Sequence, residues 1–207
     1  MRETKLTEEQ VSVLVGSLLG DGYLDETTMG YSFRLHHGIK QKDYIDWKYK
    51  ILSNIVNSPP KVYGTRVYFR TVSHPYLVNL RKLFYKKDRS RVIPESFLEK
   101  FLNPLSLAVW IMDDGTNELG SGKCVKINSQ SFSYTDHEVI CKLLRNKFDL
   151  KANINKDRTY FRIRFHKESM PQLIEMVRPY ILPSLFYKLI PVTTLTFSQA
   201  SENRQDS

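Results

Sequence analysis

The sequence predicts an α+β fold made of two pseudo-symmetric halves, each of the order αββαββα, packed through a pair of apolar helices. Three observations carry this. Leu14-Val15-Gly16-Ser17-Leu18-Leu19-Gly20-Asp21-Gly22 and Leu107-Ala108-Val109-Trp110-Ile111-Met112-Asp113-Asp114-Gly115 are both apolar helical runs ending in a carboxylate and a glycine, 93 positions apart from Asp21 to Asp114. Shorter segments repeat in the same order at a similar offset: Tyr68-Phe69-Arg70 with Tyr160-Phe161-Arg162, Ser73-His74-Pro75 with Ser169-Met170-Pro171, and Arg91-Val92-Ile93-Pro94 with Lys188-Leu189-Ile190-Pro191. Between them lie segments that alternate apolar and polar residues, the period of a half-buried strand. Two copies at so long a spacing are unlike a solenoid array, whose repeats are shorter and more numerous. The halves are expected at residues 7–94 and 104–191, joined by a short helical link at 95–103. The polar tail, 192–207, is expected to be disordered at its end.

Each element has its own signal. Thr7-Glu8-Glu9-Gln10 has the form of a capping box and opens the first helix. The residues after it are nearly all apolar, so this helix is central rather than amphipathic. Gly16 and Gly20 stand four apart on one face and admit a close helical partner. Tyr31 to His36 alternates as a strand. A helix from Asp43 to Val56 follows, then a turn at Pro59-Pro60, a strand from Arg66 to Arg70 and a helix opened by Ser73-x-Pro75. Asn103-Pro104 opens the second central helix, with an N-cap residue and proline at the first helical position. Gly22 and Gly115 are expected to stop the two central helices. In the second half, Val125 and Ile127 alternate with Lys126, Asn128 and Gln130. Thr135-x-x-Glu138 is expected to cap a helix from Asp136 to Phe148. Phe161, Ile163 and Phe165 share one strand face, and Tyr160, Arg162, Arg164 and His166 the other.

The chain has 207 residues and is 41% hydrophobic, enough for a packed core. Its 31 basic and 22 acidic residues give a net charge of +9. The distribution is uneven: residues 1–30 hold two basic and six acidic residues, and the remainder carries a balance of +13. A basic body suits a polyanion, with nucleic acid ahead of an anionic membrane surface. No apolar stretch reaches the roughly 18 residues of a membrane span, and no signal peptide is visible. Cys124 and Cys141, the only cysteines, have no zinc-ligand spacing. A reducing, intracellular compartment is expected.

A buried apolar helix gains nothing from ending in a carboxylate. Two such helices side by side would bring Asp21 and Asp114 together. A close carboxylate pair is costly unless a cation neutralises it, so the pattern predicts a metal site. These paired motifs resemble those of the LAGLIDADG homing endonucleases, and the resemblance covers about residues 8–191. It is strongest to the single-chain, two-motif members around the mitochondrial omega-intron endonuclease, which share the Gln130-Ser131-Phe132 and Tyr187-Lys188-Leu189 runs.

The resemblance implies a sequence-specific endonuclease acting on double-stranded DNA with Mg²⁺, or another divalent cation such as Mn²⁺. It implies Asp21 and Asp114 as catalytic metal ligands, with the backbone carbonyls of Gly20 and Asp113 as further oxygens. The Asp113 side chain is expected to cap or turn the helix, with service as a further metal ligand the second option. Arg91 and Lys188 occupy the places of the family's basic residues beside the metals. Most relatives have lysine where Arg91 stands. Arginine does not accept a proton at neutral pH, so unequal half-sites are expected.

Two sheets related by a pseudo-twofold axis would form a saddle over DNA, with strands in the major groove. The DNA-contact candidates are Arg34, His36, Arg66, Tyr68 and Arg70 in the first half, and Lys126, Asn128, Gln130, Arg162, Arg164 and His166 in the second. The halves differ at most of these positions, so a non-palindromic site and a monomeric enzyme are expected. His36 is read as groove-facing and His37 as local structure. The chain is expected to be intron-encoded or free-standing. Two other functions remain open on the same fold: an RNA-binding maturase acting on host intron RNA, and a non-cleaving DNA-binding regulator. The second leaves both motif aspartates unexplained.

Overall fold

The computed structural model describes residues 5–118 and 124–189. The first half runs α1 (Glu8–Leu19), β1 (Tyr23–Thr27), β2 (Gly30–Gly38), α2 (Lys42–Leu52), β3 (Lys61–Tyr63), β4 (Arg66–Arg70) and α3 (Pro75–Phe84). A seven-residue helix, α4 (Glu95–Phe101), leads into the second half. There α5 (Pro104–Asp114), β5 (Gly115–Glu118), β6 (Cys124–Ile127), α6 (Tyr134–Phe148), β7 (Ala152–Asp157), β8 (Tyr160–Phe165) and α7 (Met170–Val177) repeat the order. A short 3-10 helix, Pro183–Lys188, follows. The repeated Ile190-Pro191 and the tail 192–207 lie outside the described residues.

The central pair is α1 against α5. Both are buried almost all round, as their unbroken apolar runs require. A Cβ on Gly16 would lie 2.3 Å from the Ser106 carbonyl oxygen and 2.6 Å from Val109 Cβ. A Cβ on Gly20 would lie 2.5 Å from Asp113 Cβ. The two glycines therefore set how closely the helices approach. One four-stranded antiparallel sheet flanks each side, ordered β1-β2-β4-β3 and β5-β6-β8-β7. The buried face of each sheet joins one continuous hydrophobic core.

Strand register fixes the equivalence of the halves. Tyr23 pairs with Arg34, and Arg34 with Arg70. Thr116 pairs with Lys126, and Lys126 with Arg164. Arg34 thus corresponds to Lys126, and Arg70 to Arg164. The Tyr-Phe-Arg match at 68–70 and 160–162 is two residues out of this register, because Arg162 stands opposite Asn155. A two-residue offset leaves every side chain on its face, so the alternation conceals it.

Four local expectations need correction. The first central helix ends at Gly20 rather than Gly22, and the Asp21 backbone N–H leaves it to donate to the Asp113 carboxylate. The cap of α6 is Ser133, whose hydroxyl accepts from the Asp136 N–H; the Asp136 carboxylate accepts from the Ser133 N–H in return. That carboxylate also accepts from the Ile93 N–H, which ties α6 to the chain entering α4. Thr135 lies inside the helix. Strand β6 ends at Ile127, with the Asn128 N–H still donating to the Asp114 carbonyl, and Gln130 lies in a turn rather than on a strand. Helix α2 is also shorter than expected and gives way to a 3-10 turn at Ser53–Ile55.

Candidate metal centre and nucleic-acid interface

The C-terminal ends of α1 and α5 bring together the charged side chains that the two motifs contribute. Asp21 lies just past α1, with its side chain 45% exposed. Asp114 is the last residue of α5 and half-buried. Burial and the neighbouring carboxylate of Asp113 raise the Asp21 carboxyl above its usual range. Burial, Asp21 and Asp113 together push Asp114 up to about 8. Each shift records a charge that the fold does not fully compensate.

The basic candidates occupy equivalent places. Arg91 donates to the Gly20 carbonyl at 2.6 Å and to the Gly22 carbonyl at 2.7 Å. Lys188 Nζ donates to the Asp113 carbonyl at 2.7 Å and also to Met112. Gly20 and Asp113 each precede a motif aspartate, so the two cations hold matched carbonyls. Lys188 is buried, and burial lowers its pKa against the pull of Asp113, Asp21 and Asp114.

The Asp113 side chain neither caps nor turns the helix. It is fully buried and accepts from Tyr44 Oη at 2.8 Å and from Lys48 Nζ at 2.7 Å. Lys48 is itself completely buried, with Nζ 4.3 Å from the centre of the Tyr44 ring. Burial lowers the Lys48 pKa, while the Asp113 carboxylate opposes the shift. His37 completes the cluster. Its Nδ1 lies 3.6 Å from Asp21 Oδ2 and its Nε2 lies 3.6 Å from Asp113 Oδ1. Burial drops His37 to about 4, so the ring is neutral at physiological pH. Its Nε2 makes no hydrogen bond.

The sequence reading missed Tyr44 and Lys48, and treated His37 as local structure. Signals for all three were present. Tyr31, Phe33, Leu35 and His37 share one strand face, so a titratable ring ends an inward-facing row. Tyr44 and Lys48 are four apart on α2 and share a helical face.

These residues fit a divalent cation. One ligand atom each from Asp21, His37 and Asp113 lie within 4.8 Å of one another. The Asp113 carboxylate is already committed to Tyr44 and Lys48. Asp21 and Asp114 remain as hard-oxygen carboxylates, and the Gly20 and Asp113 carbonyls, which already accept from Arg91 and Lys188, would join them through their second lone pairs, a set suited to a cation that keeps several waters. Two carboxyls displaced upward are what such a charge would relieve.

The sheet faces turned away from the helices carry most of the remaining candidates. Arg34, His36, Arg66, Tyr68 and Arg70 share one face of the first sheet by register, and Arg34, His36, Arg66 and Arg70 are exposed. Lys126, Arg162 and Arg164 share the matching face of the second. His166 follows β8 and meets the Asn153 amide oxygen at 2.8 Å. Two candidates have local work instead. The Asn128 amide donates to the Asp114 carbonyl and to Thr116 Oγ1, both at 3.0 Å. Gln130, with its amide oxygen turned to Arg162, accepts from that guanidinium at 2.9 and 3.2 Å. No helix among the described residues is long and apolar enough to cross a membrane.

Comparison with known proteins agrees with this geometry. The homing endonuclease I-WcaI, solved bound to its DNA recognition sequence, superposes with a TM-score of 0.83 at 24% identity, covering 90% of this chain and 88% of that one. I-DmoI, solved with DNA and Mn, superposes at 0.56 and 15% identity, over 82% of this chain and 96% of that one. Among curated sequences, the cytochrome b mRNA maturase bI2 of Saccharomyces cerevisiae is 35% identical over 204 residues, 86% of this chain and 47% of that protein. Protein RecA of Mycolicibacterium chitae is 31% identical over 203 residues, 90% of this chain and 48% of that protein. The chain spans about half the length of these curated relatives. Residues 11–173 match the LAGLIDADG DNA endonuclease family, and with its paired carboxylate-tipped helices and twin four-stranded sheets the chain belongs to that family.

Proposed function

We propose that the chain is a monomeric, Mg²⁺-dependent homing endonuclease that makes double-strand breaks in a long, non-palindromic DNA site. One observation carries this reading: Asp21 and Asp114 stand at the same end of one helix pair, with Arg91 and Lys188 on matched carbonyls beside them. A chain that supplies both carboxylates needs no second copy to cut both strands.

Asp21, Asp114 and the Gly20 and Asp113 carbonyls would hold the cation. Once bound, it supplies Lewis acidity toward the phosphate and lowers the pKa of its water. The chain's own groups do the rest. Arg91 holds positive charge where the phosphorane develops negative charge. Lys188, its pKa lowered by burial, can in addition pass a proton at Nζ. His37 places a neutral ring 3.6 Å from the Asp21 carboxylate. The open sheet faces bring arginine, lysine, histidine and tyrosine side chains to the major groove, where base edges show distinct donor and acceptor patterns. The halves differ there, which gives an asymmetric site.

The alternative is RNA binding with a maturase role, favoured by the similarity to a protein named as an mRNA maturase. Incubating the full chain with a randomised duplex library in Mg²⁺, Mn²⁺ or Ca²⁺, and sequencing the cut ends, tests the main reading. Recovery of one asymmetric site, cut in Mg²⁺ or Mn²⁺, is expected. Tight RNA binding with no cut DNA in any metal would favour the maturase reading.

A further inference from the structure

The DNA-facing sheets are not uniformly basic. The third residue after each motif glycine is acidic: Asp25 after Gly22, and Glu118 after Gly115. Register makes these equivalent, because Asp25 pairs with Ser32 while Glu118 pairs with Cys124, two residues before Arg34 and Lys126 respectively. In both halves the carboxylate forms an ion pair with that cation. Asp25 Oδ2 lies 3.1 Å from Arg34 Nε. Glu118 holds Lys126 Nζ and also lies 2.8 Å from Arg164 Nε. All five side chains remain partly exposed, from 19% to 47%. The same carboxylate–cation contact therefore occurs at equivalent positions in two halves that differ at most of their other groove positions.

A carboxylate on a DNA-facing surface weakens attraction to phosphate, so it needs another use. The atom engaged in each arginine supplies it. Each carboxylate lies against an arginine Nε, through a hydrogen bond from Arg164 and an ion pair at 3.1 Å with Arg34, and leaves the terminal nitrogens as a fork. That fork is the group that reads guanine O6 and N7 bidentately.

We propose that Asp25 and Glu118 are specificity-determining positioning residues: they hold Arg34, Lys126 and Arg164 for base edges and keep those cations from settling on backbone phosphates. This rests on the DNA-binding reading above. On random DNA, breaking the contact costs affinity with no return. On the correct site the fork meets its base with the contact intact. It also gives a use to Asp25, one of the six acidic residues in the segment 1–30.

The test uses the full chain in chelator, so that no cutting occurs, with a random-sequence duplex and with the duplex recovered from the cleavage selection. Binding is measured from roughly 50 to 200 mM salt. Glu118→Gln and Asp25→Asn should each bind random DNA about three- to tenfold more tightly. Each should steepen the logarithmic salt slope by about 0.9, one extra phosphate contact. Affinity for the selected site should change less, so discrimination falls. Glu118→Asp, which keeps the charge, should stay near wild type. Unchanged random-DNA affinity and slope, or equal weakening on both duplexes with a lowered melting temperature, would overturn the proposal and leave the carboxylates as strand-pairing contacts. Failure of the wild-type chain to bind any duplex would instead remove the DNA reading, and this proposal with it.

Discussion

At the scale of single residues, the chemistry depends on carboxylates that the fold holds at a cost. Asp114 rises from 3.8 to about 8 on folding, so between those values the folded chain keeps a proton that the unfolded chain has released. Its contribution to stability is therefore complete below 3.8 and lost as pH rises through about 8. His37 acts in the opposite sense lower down: its fall from 6.5 to about 4 removes stability as pH drops through that window. Above pH 6.5 the His37 effect is complete; Asp21, also raised, acts with Asp114, and the lowered Lys48 and Lys188 act against them. The metal-free melting temperature is expected to fall with pH from there to about 8, and saturating Mg²⁺ should flatten the slope by replacing the proton. A metal-free melting temperature that rises over this range would contradict the assignment.

The Lys48–Asp113 pair makes a separate prediction. Both side chains are fully buried, and removing one partner strands the other charge. Lys48→Met should destabilise the chain by about 3–5 kcal/mol, and replacing both residues with apolar ones should recover much of that. Chemical denaturation of the two variants measures the difference. Equal losses would mean that the pair's geometry, rather than its charge balance, is what the fold needs.

At the scale of elements, the glycines and caps decide where helices stop and how closely they meet. Gly16→Val would place a branched side chain where even a Cβ lies 2.3 Å from the Ser106 carbonyl oxygen. Helices α1 and α5 must then separate, costing at least about 1–3 kcal/mol and shifting both motif aspartates. Loss of cleavage out of proportion to the loss of stability is expected. Ser133→Ala should cost about 1 kcal/mol, while Thr135→Ala should be close to neutral, reversing the order that the sequence suggests. Calorimetry of the two variants checks this.

The central helices, the αββαββα order and the strand faces were legible because burial imposes periods of 3.6 and 2 on the residues. Arg91 and Lys188 were legible because duplication repeats them. The cap of α6 was misread because Ser133-x-x-Asp136 and Thr135-x-x-Glu138 overlap, and only the tertiary bond from the Ile93 N–H favours the first. The α2 cluster at Tyr44 and Lys48 was missed for another reason: its shared helical face could be read, but its partner could not. Its partner, Asp113, is 65 residues from Lys48, and no local pattern announces a buried ion pair across the interface between halves.

At the scale of the whole molecule, pseudo-symmetry with unequal parts is the governing idea. Arg91 and Lys188 hold matched carbonyls but differ in chemistry, and His37 has as its counterpart Ser129, whose hydroxyl is bonded to His137 Nε2 at 2.8 Å. Lys188→Ala should slow one strand more than the other and accumulate nicked DNA. Arg91→Ala should slow the opposite strand, and Arg91→Lys should be tolerated. Strand-specific end labels would show this, and equal slowing of both strands by each variant would assign the residues to general binding.

The central claim, that one helix pair delivers two carboxylates to one cation-dependent cutting site, is tested most directly by a single-turnover cleavage assay. Wild type, Asp21→Asn and Asp114→Asn are compared on the selected duplex in Mg²⁺, with affinity measured in parallel. Each variant is expected to lose double-strand cutting by at least about a hundredfold while binding the duplex about as tightly as wild type. Either variant cutting both strands at the wild-type rate would contradict that claim.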